Sequence, residues 1–386
     1  MRPLSEVVAR AGWWARLAAM RARTGLAAPG LVLRAARAYD VPVRAVVGRF
    51  VRLRGEGFML HPQLLAELSQ LEVLDPSLPD ELAAEVVGPA RLRRSQLRLS
   101  PEPLTRVIDD KAIFYTICGL AGLPIAPVYA FVYRDFPGWT RSGRTPRSRA
   151  EWAAALARVL PQEVIAKPVE GDIGVGVRAF RRDDDAFWEG DRLVGSSADL
   201  YDALFEEGRF GGFVLQQRVR SHPTIAAISG AAMLQTARII TLVDPGPEVV
   251  VLAAAHKIAL TDGLVDNLHR GASAGVPIDL ESGLLGKMLV SRPDGFGMLR
   301  LERHPHTGNV CEGVRVPYWS DALELVRKAS LAFAMVRTMG WDVALTPEGP
   351  LLMEGNAGWA AYNHVVPMGS ILRRLDESIA REAVGR

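Results

Sequence analysis

From residue 109 onward, apolar positions switch between helical and strand spacing often enough to outline a chain of alternating elements. Residues 111–121 have helical spacing and stop at Gly122, and 127–133 follow as a strand. The stretch 134–149, rich in Arg, Gly, Ser and Pro, is expected to be an exposed loop. Ser148 and Glu151 form a capping-box pattern for a helix running to 160. Next come a strand at 163–168, a glycine-rich turn and a strand at 177–180, giving strand–loop–strand where dinucleotide folds have strand–loop–helix. A helix fits 197–207 and a buried strand 213–219; strands 237–243 and 248–258 flank the turn Asp244-Pro245-Gly246-Pro247. An amphipathic helix is predicted over 321–339 from an N-cap at Ser320, and strands 342–346 and 351–355 close the region around Pro347-Glu348-Gly349-Pro350. Residues 1–105 are Arg-, Ala- and Leu-rich and mostly helical in pattern, with strand-like spacing near 43–53 and a boundary at Pro101 and Pro103.

Composition narrows the classes. A chain of 386 residues calls for two or three packed units. Its charge of +3 is mild, and no dense Lys/Arg run is interleaved with aromatics, so nucleic acid is not an expected partner whereas nucleotides are compatible. Two distant cysteines, Cys118 and Cys311, give neither a disulfide framework nor a zinc pattern, and a cytoplasmic setting is expected. Arg10 and Arg16 interrupt the N-terminal apolar stretch, which makes a poor signal peptide, and no run is long enough for stable membrane insertion. The segment around Trp13 and Trp14 suits either a helix packed on the protein or one lying on a membrane surface. Only five of the 46 basic residues are lysines: Lys111, Lys167, Lys257, Lys287 and Lys328.

Five segments carry candidate chemistry. Asp342, Glu354 and Asn356 lie on facing strands of one predicted hairpin, and alternation points Glu354 and Asn356 the same way. Two carboxylates and an amide oxygen make a hard site suited to Mg²⁺; read alone they are also ordinary solvated strand-end groups. Lys167 ends an apolar strand before Glu170, Gly171, Gly174 and Gly176, whose backbone N–H groups can approach phosphates. Asp109-Asp110-Lys111 opens a helix, either as a solvated cap or as a further anion-binding start. Gln216, Gln217 and Val219 end an apolar strand that can wall a slot and read an adenine edge. Arg238, Lys257 and Asn267 are candidate catalytic groups, able to steady charge on a transferring phosphoryl group. His256, His269, His304 and His306 have no metal-ligand spacing.

In this order the segments resemble the ATP-grasp superfamily, closest to the sugar-transfer-associated group related to α-L-glutamate ligases. The similarity covers residues 106–369. Lys111 and Lys167 match the family's two ATP lysines, 170–177 its glycine loop, 216–219 its hinge, and Asp342, Glu354 and Asn356 its metal motif; 267–271 is similar to the glutamate-ligase asparagine-to-glycine motif. Asp172 departs from the family loop, and Ser221, His222 and Pro223 stand where an acidic ribose reader is usual.

The resemblance implies an α+β ATP-grasp fold: a helical region over 1–105, a small lobe over 106–212 and a large lobe over 213–386. It further implies ATP with one or two Mg²⁺ ions, Mn²⁺ substituting. The activity implied is an ADP-forming ligase that activates a small-molecule carboxylate as an acylphosphate and joins it to an amine or other nucleophile, in glycan or natural-product biosynthesis. A kinase acting on a hydroxyl and a non-catalytic nucleotide-binding partner protein are the alternatives. A homodimer is compatible with this reading.

Overall fold

The computed structural model describes residues 29–54, 74–77, 79, 85–171, 174–246, 248–264, 272–292, 297–360, 363 and 365–384. The chain divides into two compact units, one of 1–98, 289–301 and 360–386, the other of 99–288 and 302–359.

In the first unit the helix Val43–Arg54 occupies the stretch whose valines suggested strand spacing. Its apolar residues recur every three or four positions, and the helical period wins over the β-preference of valine. Helices Pro89–Leu99 and Met368–Val384 also belong chiefly to this unit and are joined by Ser95 Oγ donating to Asp376 (2.6 Å). The predicted helical character of the N-terminal region holds over its described residues. The Trp13–Trp14 segment lies outside them.

The second unit contains two antiparallel sheets. Strands are numbered in chain order: β1 Val128–Tyr133, β2 Trp139–Thr140, β3 Glu163–Pro168, β4 Arg178–Asp183, β5 Ala186–Glu189, β6 Arg192–Gly195 and β7 Gly212–Gln217. Then come β8 Thr236–Val243, β9 Val249–Ala259, β10 Ser273–Pro277, β11 Met288–Ser291, β12 Met298–Leu301, β13 Thr338–Thr346 and β14 Gly349–Asn356. The first sheet runs β2-β1-β7-β3-β4-β5-β6, so β7 is an inner strand hydrogen-bonded to both β1 and β3. Helices Arg149–Val159 and Ser197–Phe205 cover it, with Trp152 and Leu156 fully buried against Phe180 and Phe213. In the second sheet this unit's strands run β10-β9-β8-β13-β14. Every residue of β8 and β13 is buried. Covered on both faces, these strands are near-continuously apolar, and the polar residues left on them stand out.

Four local predictions shift. The loop 134–149 contains the short strand β2. The helix predicted over 321–339 is Trp319–Ala332, capped at Tyr318 in the left-handed region rather than at Ser320. The apolar pattern continues past the helix end over 333–336, and β13 starts at Thr338 rather than Asp342. Ser148 Oγ does accept from Glu151 N, but the Glu151 carboxylate takes the N–H of Arg147 (2.7 Å), so the capping box is half made.

Candidate active site

Asp342 and Glu354 are direct cross-strand partners on β13 and β14, and Gly340 faces Asn356. A pair of this kind brings its side chains within about 5 Å of each other. The Asn356 amide leans back, its Nδ2 donating to Gly340 O at 3.4 Å and leaving Oδ1 as acceptor.

Asp342 is also the register partner of Arg238 on β8, and the two form a bidentate pair, Nε to Oδ1 at 2.7 Å and Nη2 to Oδ2 at 2.8 Å. Lys257 on β9 adds Nζ at 3.1 Å from Oδ1. All three residues are at most 9% exposed. Burial alone would raise the Asp342 pKa, but Arg238 and Lys257 outweigh it and hold the carboxyl well below its usual range. A carboxylate has about four lone-pair sites, so three donors leave one on Oδ2. Arg238 and Lys257 thus converge behind Asp342, whereas Asp342 itself faces the cavity.

That cavity lies within the second unit and holds about 150 Å³. Its lining is mixed in chemistry: Ile165, Val177, Met233 and Leu234 are apolar, whereas Lys111, Lys167, Asp342 and Glu354 are charged. Mainly apolar clefts with a few converging polar groups are characteristic of small-molecule sites.

Lys111 begins the helix Lys111–Leu120, whose N-cap Asp110 accepts from Ile113 N at 2.9 Å. Its ammonium bridges Gly171 O (2.9 Å) and Glu354 Oε1 (3.1 Å), tying the start of the glycine loop to β14. Lys167 ends β3, its Nζ 3.1 Å from the Tyr115 hydroxyl. That hydroxyl donates in turn to Met353 O at 2.6 Å. Burial first, then the negative charge of Glu354, raises the Tyr115 pKa, so the phenol keeps the proton that this relay needs. Tyr115 was not singled out in the sequence. Its signal was the i, i+4 spacing from Lys111, which puts both on one helix face.

Most remaining predicted residues assemble here. Gly171, Gly174, Gln217 and Val219 line the cavity. Gln217 is fixed by Tyr129, whose hydroxyl donates to Oε1 at 2.9 Å. Gln216, the register partner of Ile165 on β3, is buried, with Nε2 donating to Ala126 O at 3.3 Å, and is not among the residues that line the cavity. Gly176 and Glu170 are not among the lining residues, and Glu170 is exposed. Arg218 does line the cavity, 3.5 Å from Glu163. Asn267, the run 267–271 and Asp172 lie outside the described residues. His256 and His304 are packing residues: His256 Nδ1 is 3.2 Å from Lys257 O and His304 Nε2 is 2.7 Å from Ala259 O. Cys118 and Cys311 are buried free thiols, each pushed up to about 12 by burial. No described helix is long and apolar enough to cross a membrane.

The family model for sugar-transfer associated ATP-grasp proteins matches residues 91–380. Among solved structures, D-alanyl-alanine synthetase A from Vibrio cholerae O1 biovar eltor is similar at 11% identity and a TM-score of 0.39, over 72% of this chain and 66% of that one. L-amino acid ligase from Bacillus licheniformis matches at 15% identity and a TM-score of 0.34, over 66% and 41%. D-cycloserine synthetase DcsG matches at 16% identity and a TM-score of 0.38, over 72% and 73%. The chain therefore spans under two thirds of the length of the first two. No curated protein matches significantly.

Proposed function

Because this chain belongs to the sugar-transfer associated ATP-grasp family and has its α+β fold, we propose that it is an ADP-forming ligase that activates a carboxylate and joins it to an amine. The observation that carries this reading is the single cavity holding Lys111, Lys167, the glycine loop, Asp342 and Glu354. The lobes 106–212 and 213–386 are proposed as the two jaws, with β7 completing the first sheet before the chain passes to the second.

ATP is taken to lie with its adenine between Ile165, Met233 and Leu234, beside Gln217 and Val219. Lys111 and Lys167 would bind the phosphates, the latter held in place by Tyr115. The donor set fits Mg²⁺: Glu354, Asn356 Oδ1 and the remaining lone pair of Asp342 are hard oxygens that leave room for phosphate oxygens and water. One or two such ions, or Mn²⁺ in their place, supply charge neutralisation on the β- and γ-phosphates. Among the described residues no group of three or more His, Cys, Asp or Glu side chains forms a metal cluster.

In the proposed reaction a carboxylate oxygen attacks the γ-phosphorus, the bridging P–O bond breaks and ADP leaves. Attack of the amine on the acylphosphate carbon then releases phosphate, and the amine proton passes to solvent. The chain's share is positioning and electrostatics: Arg238 and Lys257 steady developing negative charge, with Asn267 proposed beside them. Incubation with ATP, Mg²⁺ and panels of carboxylates and amines should sustain ADP turnover only when both partners are present, with a condensed product by mass spectrometry. A stable phosphorylated alcohol without condensation would instead establish the kinase alternative. Absence of both, with nucleotide still bound, would establish the non-catalytic one.

A further inference from the structure

The helix Val43–Arg54 has two unlike sides. Val46 and Arg49 are buried, whereas Val43, Val47 and Val51 are 43%, 43% and 60% exposed. Their four-residue spacing aligns the three valines in one stripe. Arg44 is exposed beside them, and the helix carries four arginines and no acidic residue. Helix Pro89–Leu99 of the same unit also lacks acids and exposes Arg91, Arg94 and Arg98 along one side.

This bias is regional. Residues 1–54 hold eleven arginines against two acids, Glu6 and Asp40, although the whole chain is only +3; the other 332 residues are therefore net −6. Scattered exposed apolar side chains are ordinary on protein surfaces. An aligned aliphatic stripe on an acid-free, arginine-bearing helix is the pattern of helices that lie in a membrane interface. RNA fits less well, because its bases gain nothing from a stripe of valines.

We infer that this helix docks on an anionic phospholipid bilayer. The valines enter the boundary between headgroups and acyl chains while the neighbouring arginines meet lipid phosphates. Docking rests on the first unit alone and stands whether or not the ligase reading does.

The test is co-sedimentation of the full chain with vesicles of phosphatidylcholine alone or with added phosphatidylglycerol. Binding is expected to be about tenfold tighter to the anionic vesicles and to fall about tenfold when salt rises to about 0.5 M, where the screening length is only a few ångströms. The double variant Val47→Asp/Val51→Asp should lose most binding at low salt while its circular dichroism and ADP formation match the parent. Arg44→Glu, which leaves the valines intact, should weaken it too and serves if the double variant fails to fold. Equal binding to both vesicle types, or unchanged binding by folded variants, would overturn the inference. So would displacement from anionic vesicles by single-stranded RNA at equal phosphate, which would identify nucleic acid as the occupant.

Discussion

At Asp342 one buried carboxylate meets two cations, Arg238 and Lys257. That pairing makes the carboxylate structural as well as chemical. Asp342→Asn should abolish ADP formation and destabilise the fold by about 3 kcal/mol, since removing one partner strands the others buried. Full turnover by this variant would refute the metal assignment. A titration is also predicted at His256, fully buried on β9, where burial lowers its pKa from 6.5 to about 4. The sign follows from the depressed value: both states are neutral above 6.5, and between 6.5 and about 4 the unfolded chain takes up a proton that the folded one refuses. Stability should therefore fall by about 2 kcal/mol between pH 7 and pH 5 through this residue. Denaturant midpoints of His256→Leu at the two pH values would show a smaller difference than the parent; an equal difference assigns the effect elsewhere.

At the scale of elements, strands were legible wherever alternation or a turn marked both ends. The β8–β9 hairpin was placed to within a residue or two because Asp244 and the following Pro-Gly leave the chain little choice but to reverse. Helix ends were less legible: Phe333, Ala334, Met335 and Val336 continue the apolar pattern past the helix with no Gly or Pro to stop it, and tertiary pairing decides the point. The β-branched valines of 43–54 misled in the same way, through propensity without packing. The glycine loop was legible as a loop but not in its inner contacts. Gly176 has φ +80°, and a Cβ there would collide with Phe210 and stand 2.8 Å from Pro168 Cγ. Gly176→Ala should thus cost about 1 kcal/mol or more and weaken nucleotide binding. Gly143, at φ +77° with open space around it, is the control: its alanine variant carries the backbone strain alone and should bind nucleotide normally. Equal behaviour of the two variants would mean that the Phe210 contact does not shape the loop.

Over the whole chain, the segments picked out between Asp109 and Asn356 lie far apart in sequence, and antiparallel register brings Arg238, Asp342 and Glu354 onto neighbouring positions of β8, β13 and β14. Scarcity of lysine was a sound guide: Lys111 and Lys167 reach the cavity and Lys257 backs Asp342, whereas Lys328 makes an exposed helical pair with Glu324. Met233 and Leu234 went unread, because two apolar residues leave no mark until a fold places them on a wall, whereas Tyr115, off the wall itself, was marked only by its i, i+4 spacing from Lys111. All these residues belong to one of the two compact units, so ligand binding should be felt unevenly. At about a hundred times its Kd, a ligand that binds only the native state adds about 2.7 kcal/mol to stability. Hydrogen exchange with Mg-ATP present should therefore slow in β3, β14 and residues 174–177, while amides of the helix Val43–Arg54 exchange as before. Removing Mg²⁺ with EDTA should reverse protection at β14 more than at β3, because the metal ligands Glu354 and Asn356 sit on β14 and Lys167 on β3. Protection spread evenly over both units, or none at β14, would place the nucleotide somewhere other than this cavity.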